Sequence, residues 1–283
     1  GGLAPGFAAL LDQGEANQEP AVRIPYSVVC TCFNEEHTIA ALLDSLLHQT
    51  AVPAEVIIYD AASTDRTLAV IDQWRREVEP SFALRVAAGD RVPIAQGRNQ
   101  AAAEAQEQIL VFADAGTSLD RAWAERLLAP FAHRPETEVS MGWYRPITRN
   151  IFEESAAYFI VPRLDAVNPM VFLPSARSLA VRRDVFTAVG GFPEHLTFAG
   201  EDTLFDYYLK TAVKHAAFVP DAIVHWRMPE GIWALARTIY RYARGDAEGG
   251  MMFWDYYLKL VDSCFKCALE LVLLAMLALF YSM

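Results

Sequence analysis

In the stretch VFADAGTSLD, residues 111–120, an apolar run ends in Asp114 and a glycine follows two places on. Carboxylate oxygens suit hard divalent cations such as Mg2+ and Mn2+. Gly116 therefore poses a choice between plain turn chemistry and a position where a second metal-binding carboxylate is missing. Another acidic pair, Glu201 and Asp202 in GEDTLFDYYLK, opens a helical run. The macrodipole favours anions at a helix N-terminus and keeps them ionised, which serves chemistry and ordinary helix stabilisation alike. Two more polar clusters, FNEE at residues 33–36 and DAAST at 60–64, also follow directly on apolar runs. Asp60 heads the second, where its plain reading is to cap the next helix.

The elements that must position these groups alternate from residue 26 onward. YSVVCTC, AEVIIYD, FALRVAA and ILVFAD read as β-strands. Each is followed by helical periodicity, in HTIAALLDSLLHQ, STDRTLAVIDQWRREVE, PIAQGRNQAAAEAQEQ and DRAWAERLLAPF. Ile39, Leu42, Leu43, Leu46 and Leu47 recur at helical spacing in the first, and Ser63, Thr64 or Asp65 is available to cap the second. Four strand–helix units in succession predict right-handed crossovers and an α/β fold, its mostly parallel sheet covered by helices on both faces. In such sheets ligands bind outside the carboxyl ends of the strands, and FNEE, DAAST and DAGT all fall on that edge. Beyond residue 135, EVSMGWYRPI reads as a strand, RSLAVRRDVF as strand into helix, GEDTLFDYYLKTAV as a helix and HAAFVPDAIVHW as a final strand. This half extends the same domain and is not an independent repeat.

A chain of 283 residues, 53% hydrophobic, can bury a substantial core. Its 24 Lys and Arg against 35 Asp and Glu leave a net charge of −11, which disfavours a nucleic-acid partner held by phosphate neutralisation. An anionic substrate must then be met locally, by arginines or a metal. Cys30, Cys32, Cys264 and Cys267 lack histidines at zinc spacing and read as buried reduced thiols. Residues 1–25 form a loose leader without a basic n-region or a sustained apolar core. Residues 231–262 mix Trp233, Trp254, tyrosines and basic residues, the composition of helices at a membrane interface; packing against the preceding domain accounts for the same aromatics. Residues 263–283 end in LVLLAMLALFYSM, short of the ~20 residues of a spanning helix unless SCFKCALE extends it.

Six ordered motifs, VVCTCFNEEHTI, VIIYDAASTDRT, AQGRNQAAAEA, VFADAGTSLD, LAVRRDVFTAVGGFPE and GEDTLFDYYLK, resemble the family-2 glycosyltransferases with the Rossmann-like GT-A fold, over about residues 26–230. The resemblance implies a nucleotide-sugar donor held by the first-strand loop, here Thr31, Phe33, Asn34 and Glu35, although the family's proline is missing. It implies that Asp60 reads the base or ribose and that Arg98, followed by Asn99, meets phosphate or base edge. Arg177 in PSARSLAVRR matches a donor-facing loop, with Arg241 and Arg244 as weaker helpers for the leaving charge. DAG stands where the family has D-x-D, so Asp114 can hold a divalent cation, Mg2+ or Mn2+, that takes further oxygens from the diphosphate; Gly116 cannot. His225 in AIVHWRMP matches a histidine that approaches the metal, with a packed or capping role as the alternative. Asp202, beside Glu201, matches the catalytic base. It would take the acceptor hydroxyl's proton while that oxygen attacks the anomeric carbon opposite the leaving diphosphate, a single displacement that inverts configuration.

The expectation is an inverting glycosyltransferase, with UDP the expected donor nucleotide and a lipid or glycan hydroxyl as acceptor. Its catalytic domain, residues 26–230, would face the cytoplasm beside a membrane engaged through the C-terminal segment, in the building of cell-envelope polysaccharide. The rival is a catalytically silent sugar-nucleotide-binding or scaffold protein, motivated by Gly116 and by Ala61 and Ala62. Retention of Asp114, Glu201 and Asp202 together speaks against it. A nucleotidyltransferase would need a glycine-rich basic loop after the first strand, and a dehydrogenase a G-x-G-x-x-G there; CTCFNEE is neither.

Overall fold

The computed structural model describes residues 24–169, 172–197 and 199–251, together with Asp262 and Lys266. The leader through residue 23, Trp254, Cys264, Cys267 and LVLLAMLALFYSM lie outside the described residues. Strands β1 (Ser27–Cys32), β2 (Glu55–Asp60), β3 (Ala83–Ala88) and β4 (Ile109–Phe112) alternate with helices α1 (Ile39–Leu47), α2 (Thr67–Val78) and α3 (Ile94–Glu104), as the periodicity predicts. There follow β5 (Thr117–Leu119), α4 (Trp123–His133), β6 (Val139–Ile147), α5 (Ile151–Ile160) and a 3-10 turn at Leu164–Ala166. Then come β7 (Leu179–Arg182), α6 (Arg183–Ala188), α7 (Glu201–Ala212), β8 (Ala216–Arg227) and α8 (Ile232–Glu248). Two elements lie outside the sequence expectations. β5 has 3 residues, too few for a period to register. α5 starts where the Asn150 side chain accepts from the Glu153 N–H at 3.0 Å, an N-cap.

The described strands form one sheet in the order β3-β2-β1-β4-β7-β6-β8-β5. The first four are mutually parallel and β6 is parallel to β8. β7 runs antiparallel to both β4 and β6, and β5 to β8. Six of the eight described strands therefore share one direction, the mostly parallel sheet expected from the sequence, with β7 and β5 reversed within it. Strand direction follows from the path of the connections, and side-chain alternation carries no trace of it.

The strands at the centre are apolar throughout because both faces are covered. Val28 and Cys30 of β1 face α1 and α4, packing with Leu42, Leu46, Trp123 and Leu127. Val29, Ile57, Leu110 and Phe112 face the opposite side, with Ala95 and Ala101 of α3 and Phe205 and Leu209 of α7. Each large side chain so buried contributes about 1.5–3 kcal/mol. Cys30 and Cys32 are buried free thiols, and burial pushes both further from ionisation.

α8 returns across the domain. Its buried Gly245 and Asp246, with the partly buried Tyr242 one turn before, form the inward face. A Cβ on Gly245 would overlap the Ala199 carbonyl. Glu248 meanwhile accepts from the Thr197 N–H at 3.0 Å and the Thr197 hydroxyl at 2.9 Å. Gly245→Ala is accordingly expected to destabilise the fold by about 1–3 kcal/mol through overpacking, read as a lowered melting temperature. On the outer face Ile232, Trp233, Ile239 and Tyr240 are exposed, Trp233 at 82%. No helix among the described residues is long and apolar enough to cross a membrane.

Candidate active site

Because β1 pairs with both β2 and β4, the loops leaving their carboxyl ends are neighbours. Asn34 takes a left-handed turn, φ 57°, which its short polar side chain tolerates better than most. Its N–H donates to the Ser63 hydroxyl at 2.9 Å, and its side-chain oxygen accepts from the Thr64 N–H at 2.8 Å. Asp60 is fully buried and accepts from the Ser63 N–H at 2.9 Å and the Cys32 thiol at 3.4 Å. The Thr31 hydroxyl donates to the Tyr59 carbonyl at 3.1 Å. Phe33 lies beneath the Arg91 guanidinium, 3.0 Å from its ring centroid. Thr31, Asn34 and Asp60 thus fasten the rim of the edge to itself, giving the loops a fixed shape.

Arg98 occupies the centre. It is 3% exposed and donates 2.6 Å bonds to both Asp114 and Glu201, which joins the β4 corner to the start of α7. Its partner Asn99 pins the 191–194 loop, donating to the Phe192 carbonyl and the Glu194 carboxylate at 2.9 Å each. The second oxygen of Asp114 lies 3.3 Å from Arg177 Nε. Arg177 in turn stacks over Trp226, 4.1 Å from its centroid, donates to the Ser175 hydroxyl at 2.9 Å, and hydrogen-bonds Tyr242 of α8. Ser175 donates to Asp202 at 3.4 Å. A polar chain therefore runs from Asp114 through Arg177 and Ser175 to Asp202.

The two carboxylates that share Arg98 titrate in opposite directions. Burial works against ionised Asp114, yet Arg98 and Arg177 together hold it below the usual carboxylate range. Burial and then the adjacent Asp202 charge push Glu201 up to about 7, against the pull of Arg98. Glu35 is raised as well, by burial first, with Asp114 adding to the effect.

Asp206, one turn beyond Asp202 on α7, is 2% exposed, and neither oxygen has a hydrogen-bond partner among the described residues. A cavity of about 10 Å³ lined by Val139, Met141, Pro174 and Leu209 adjoins it, room for about one water molecule. Burial, then Asp202, raises the Asp206 carboxyl well above its ordinary value. A raised folded-state value adds no penalty below the unfolded value of about 3.9. The penalty grows as pH rises from there toward the folded value. Asp206→Leu is expected to gain about 1–3 kcal/mol of stability, with the gain larger at pH 7 than at pH 4 in denaturant titrations.

Sequence reasoning missed Trp226, Tyr144, Tyr242 and Ser175, which surround Arg177. Tyr144 lies 5.8 Å from it. Strand alternation could have found Trp226, since it flanks His225. The same alternation sets the direction of His225. Trp226 faces Arg177, so His225 points to the other side of β8, where its Nε2 is 2.6 Å from Asp120. The structure does not bring it to Asp114. Arg241 and Arg244, expected as helpers, are exposed on α8, and Arg244 pairs with Glu248 at 3.4 Å. Among the described residues no group of three or more His, Cys, Asp or Glu side chains is placed to hold a metal. The hard oxygens of Asp114 and Glu35 at the β4 corner fit a divalent cation that completes its shell from a bound diphosphate.

Residues 27–186 match the family described as Glycosyl transferase family 2. No curated protein is significantly similar to the chain. Among solved structures, the mannosyltransferase PcManGT from Pyrobaculum calidifontis, in complex with GDP-Man and Mn2+, is similar at 21% identity, covering 82% of this chain and 64% of that one, with a TM-score of 0.62. A TarS fragment from S. aureus in complex with UDP is also 21% identical, covering 72% and 61%, with a TM-score of 0.57. GalNAc-T7 with UDP, GalNAc and Mn2+ follows at 17% identity, 72% and 44% coverage and a TM-score of 0.55. The chain spans less than two thirds of the length of each of these three structures. Such identities establish a shared GT-A-like fold, in structures that hold nucleotides or nucleotide sugars. With the family match extending over more than half of its residues, the chain belongs to glycosyl transferase family 2.

Proposed function

We propose that the protein transfers a sugar from a nucleoside-diphosphate donor, with UDP the expected nucleotide, to a hydroxyl of a lipid or glycan, with inversion at the anomeric carbon. The observation that carries this reading is the polar chain from Asp114 to Asp202. It links a donor-side carboxylate and a helix-terminal carboxylate through one half-buried arginine, Arg177. Asp202 takes the acceptor hydroxyl's proton, the acceptor oxygen bonds to the anomeric carbon, and the bond to the diphosphate breaks with its electron pair leaving on the phosphate oxygen. Arg177, held by Trp226 and Ser175, meets that developing charge without reorganising. A divalent cation at Asp114 would supply further positive charge to the same leaving group. Arg98 holds Asp114 and Glu201 in register, and Asn34, Asp60 and Thr31 fix the rim where the nucleotide lies.

The site would work beside the cytoplasmic face of a membrane. The support is the exposed Ile232, Trp233, Ile239 and Tyr240 on α8, accompanied by Arg237, Arg241 and Arg244, a combination suited to an anionic lipid surface.

A thermal-stability screen of UDP, GDP and their sugars with Mn2+ or EDTA tests the donor assignment, since a ligand that binds only the native state raises its apparent stability. UDP with Mn2+ should raise the melting temperature well beyond either alone, because each supplies ligands for the other. Tight Mn2+ binding without nucleotide, or stabilisation indifferent to EDTA, would count against a shared site.

A further inference from the structure

Gly116 is not among the positive-φ glycines, so its backbone does not require a missing side chain. A Cβ built on it meets the two carboxylate oxygens of Glu35, at 3.8 and 3.9 Å, and no other described atom within 4 Å beyond its chain neighbours. The volume that an aspartate at this corner would enter is therefore faced by a carboxylate arriving from another strand. That approach follows from topology. β1 and β4 are adjacent and parallel, and the Ala113 N–H donates to the Val29 carbonyl at 3.2 Å, which brings the loop after β1 beside the corner after β4. The left-handed turn at Asn34 and the bond from the Glu35 N–H to the Thr67 hydroxyl at 2.7 Å set the direction of the Glu35 backbone. Its carboxylate accepts from the Thr38 hydroxyl, which leaves lone pairs on both oxygens.

We propose that Glu35 supplies, from the loop after β1, the second carboxylate that Gly116 does not, so that Asp114 and Glu35 together hold the divalent cation of a nucleoside-diphosphate donor. The proposal rests on the donor reading above. Charge balance supports it independently. Among the described residues, the carboxylates of Asp114, Glu201 and Asp202 along the polar chain, with Glu35 near enough for Asp114 to act on it, are met by two guanidiniums, Arg98 and Arg177. A diphosphate brings further negative charge, and a cation shared between Asp114 and Glu35 offsets it where the carboxylates are densest. A motif divided between two loops also makes the cation site depend on the relative placement of β1 and β4, and so on the packing of the sheet.

The test is a titration of Mn2+, followed by the loss of its free-ion EPR signal, into the full chain with saturating UDP, with GDP in a parallel arm, and without nucleotide. Glu35→Gln should weaken nucleotide-dependent Mn2+ binding by about tenfold or more, a larger loss than any it causes in nucleotide binding measured in EDTA. Gly116→Asp in the Glu35→Gln background should restore it, since the added side chain enters the same volume. Gly116→Asp alone should tighten Mn2+ binding in the absence of nucleotide, a readout that survives if Glu35→Gln folds poorly. A helix-start role for Glu35 predicts a lowered melting temperature and no rescue from position 116. Unchanged Mn2+ affinity in Glu35→Gln, or no response to Gly116→Asp in either background, overturns the proposal while leaving the donor reading intact. Failure of the unsubstituted chain to bind either nucleotide overturns both.

Discussion

Asp202→Asn should lower turnover by about 10²- to 10⁴-fold, the usual contribution of a general base, and leave donor affinity nearly unchanged. The substitution keeps the shape of the side chain and an oxygen able to accept from the Thr203 N–H, which Asp202 does at 2.9 Å. The fold is therefore expected to be preserved, and what disappears is the charge proposed to take the proton. Asp114→Asn should behave differently, weakening metal-dependent donor binding together with rate, because coordination is made in the ground state and kept in the transition state. Donor titration and single-turnover transfer on both variants supply the contrast. Small and equal losses would remove Asp202 as the base and favour a silent sugar-nucleotide binder.

The largest expected effect on stability belongs to Arg98→Met. Arg98 is buried between Asp114 and Glu201 with a bond of 2.6 Å to each. Its removal leaves two carboxylates without their shared partner in a poorly hydrated place, and breaking such a buried pair destabilises by about 3–5 kcal/mol. The sign of the pH dependence follows from Asp114. Its depressed folded-state value contributes stability above the unfolded value of about 3.9 and loses it as pH falls through the folded value. The variant lacks Arg98's share of that contribution. The difference between the two proteins in urea midpoints should therefore be widest near neutrality and shrink below about pH 4. A gap independent of pH would mean that lost packing against Phe192, whose ring lies 5.2 Å away, outweighs the lost charge.

The first half of the fold was legible because its elements are long and periodic. Ile39, Leu42, Leu43 and Leu46, all placed on one helical face by their spacing, are all buried in α1. The antiparallel course of β7 was not legible, since Leu179 and Val181 would alternate identically in either direction. At the site, the residues nearest to apolar run ends came together as expected on one edge, because a strand's end is visible in sequence. Partnership was not. Nothing in AQGRNQAAAEA tells that Arg98 pairs with Asp114 and Glu201, and nothing in RTIYRYARGD singles out Tyr242, whose place is set by the close approach of α8 some 65 positions after Arg177. The pairing of His225 with Asp120, 2.6 Å away, was hidden for the same reason, since strand parity sets a side chain's face and AIVHWRMP does not show its partner.

The contact of Gly245 with Ala199 bears on how this chain can be recombined with its relatives. An exchange of C-terminal segments that joins after β8 would place a foreign helix over the loop that precedes α7. Almost any residue but glycine would then collide at the Ala199 carbonyl, and Arg177 would lose Tyr242. A productive crossover has to carry residues 197–200 and 242–248 as one inherited block, although more than 40 positions of chain separate them. The surroundings of Arg177 and the approach to α7 are to that extent tied in descent as well as in space.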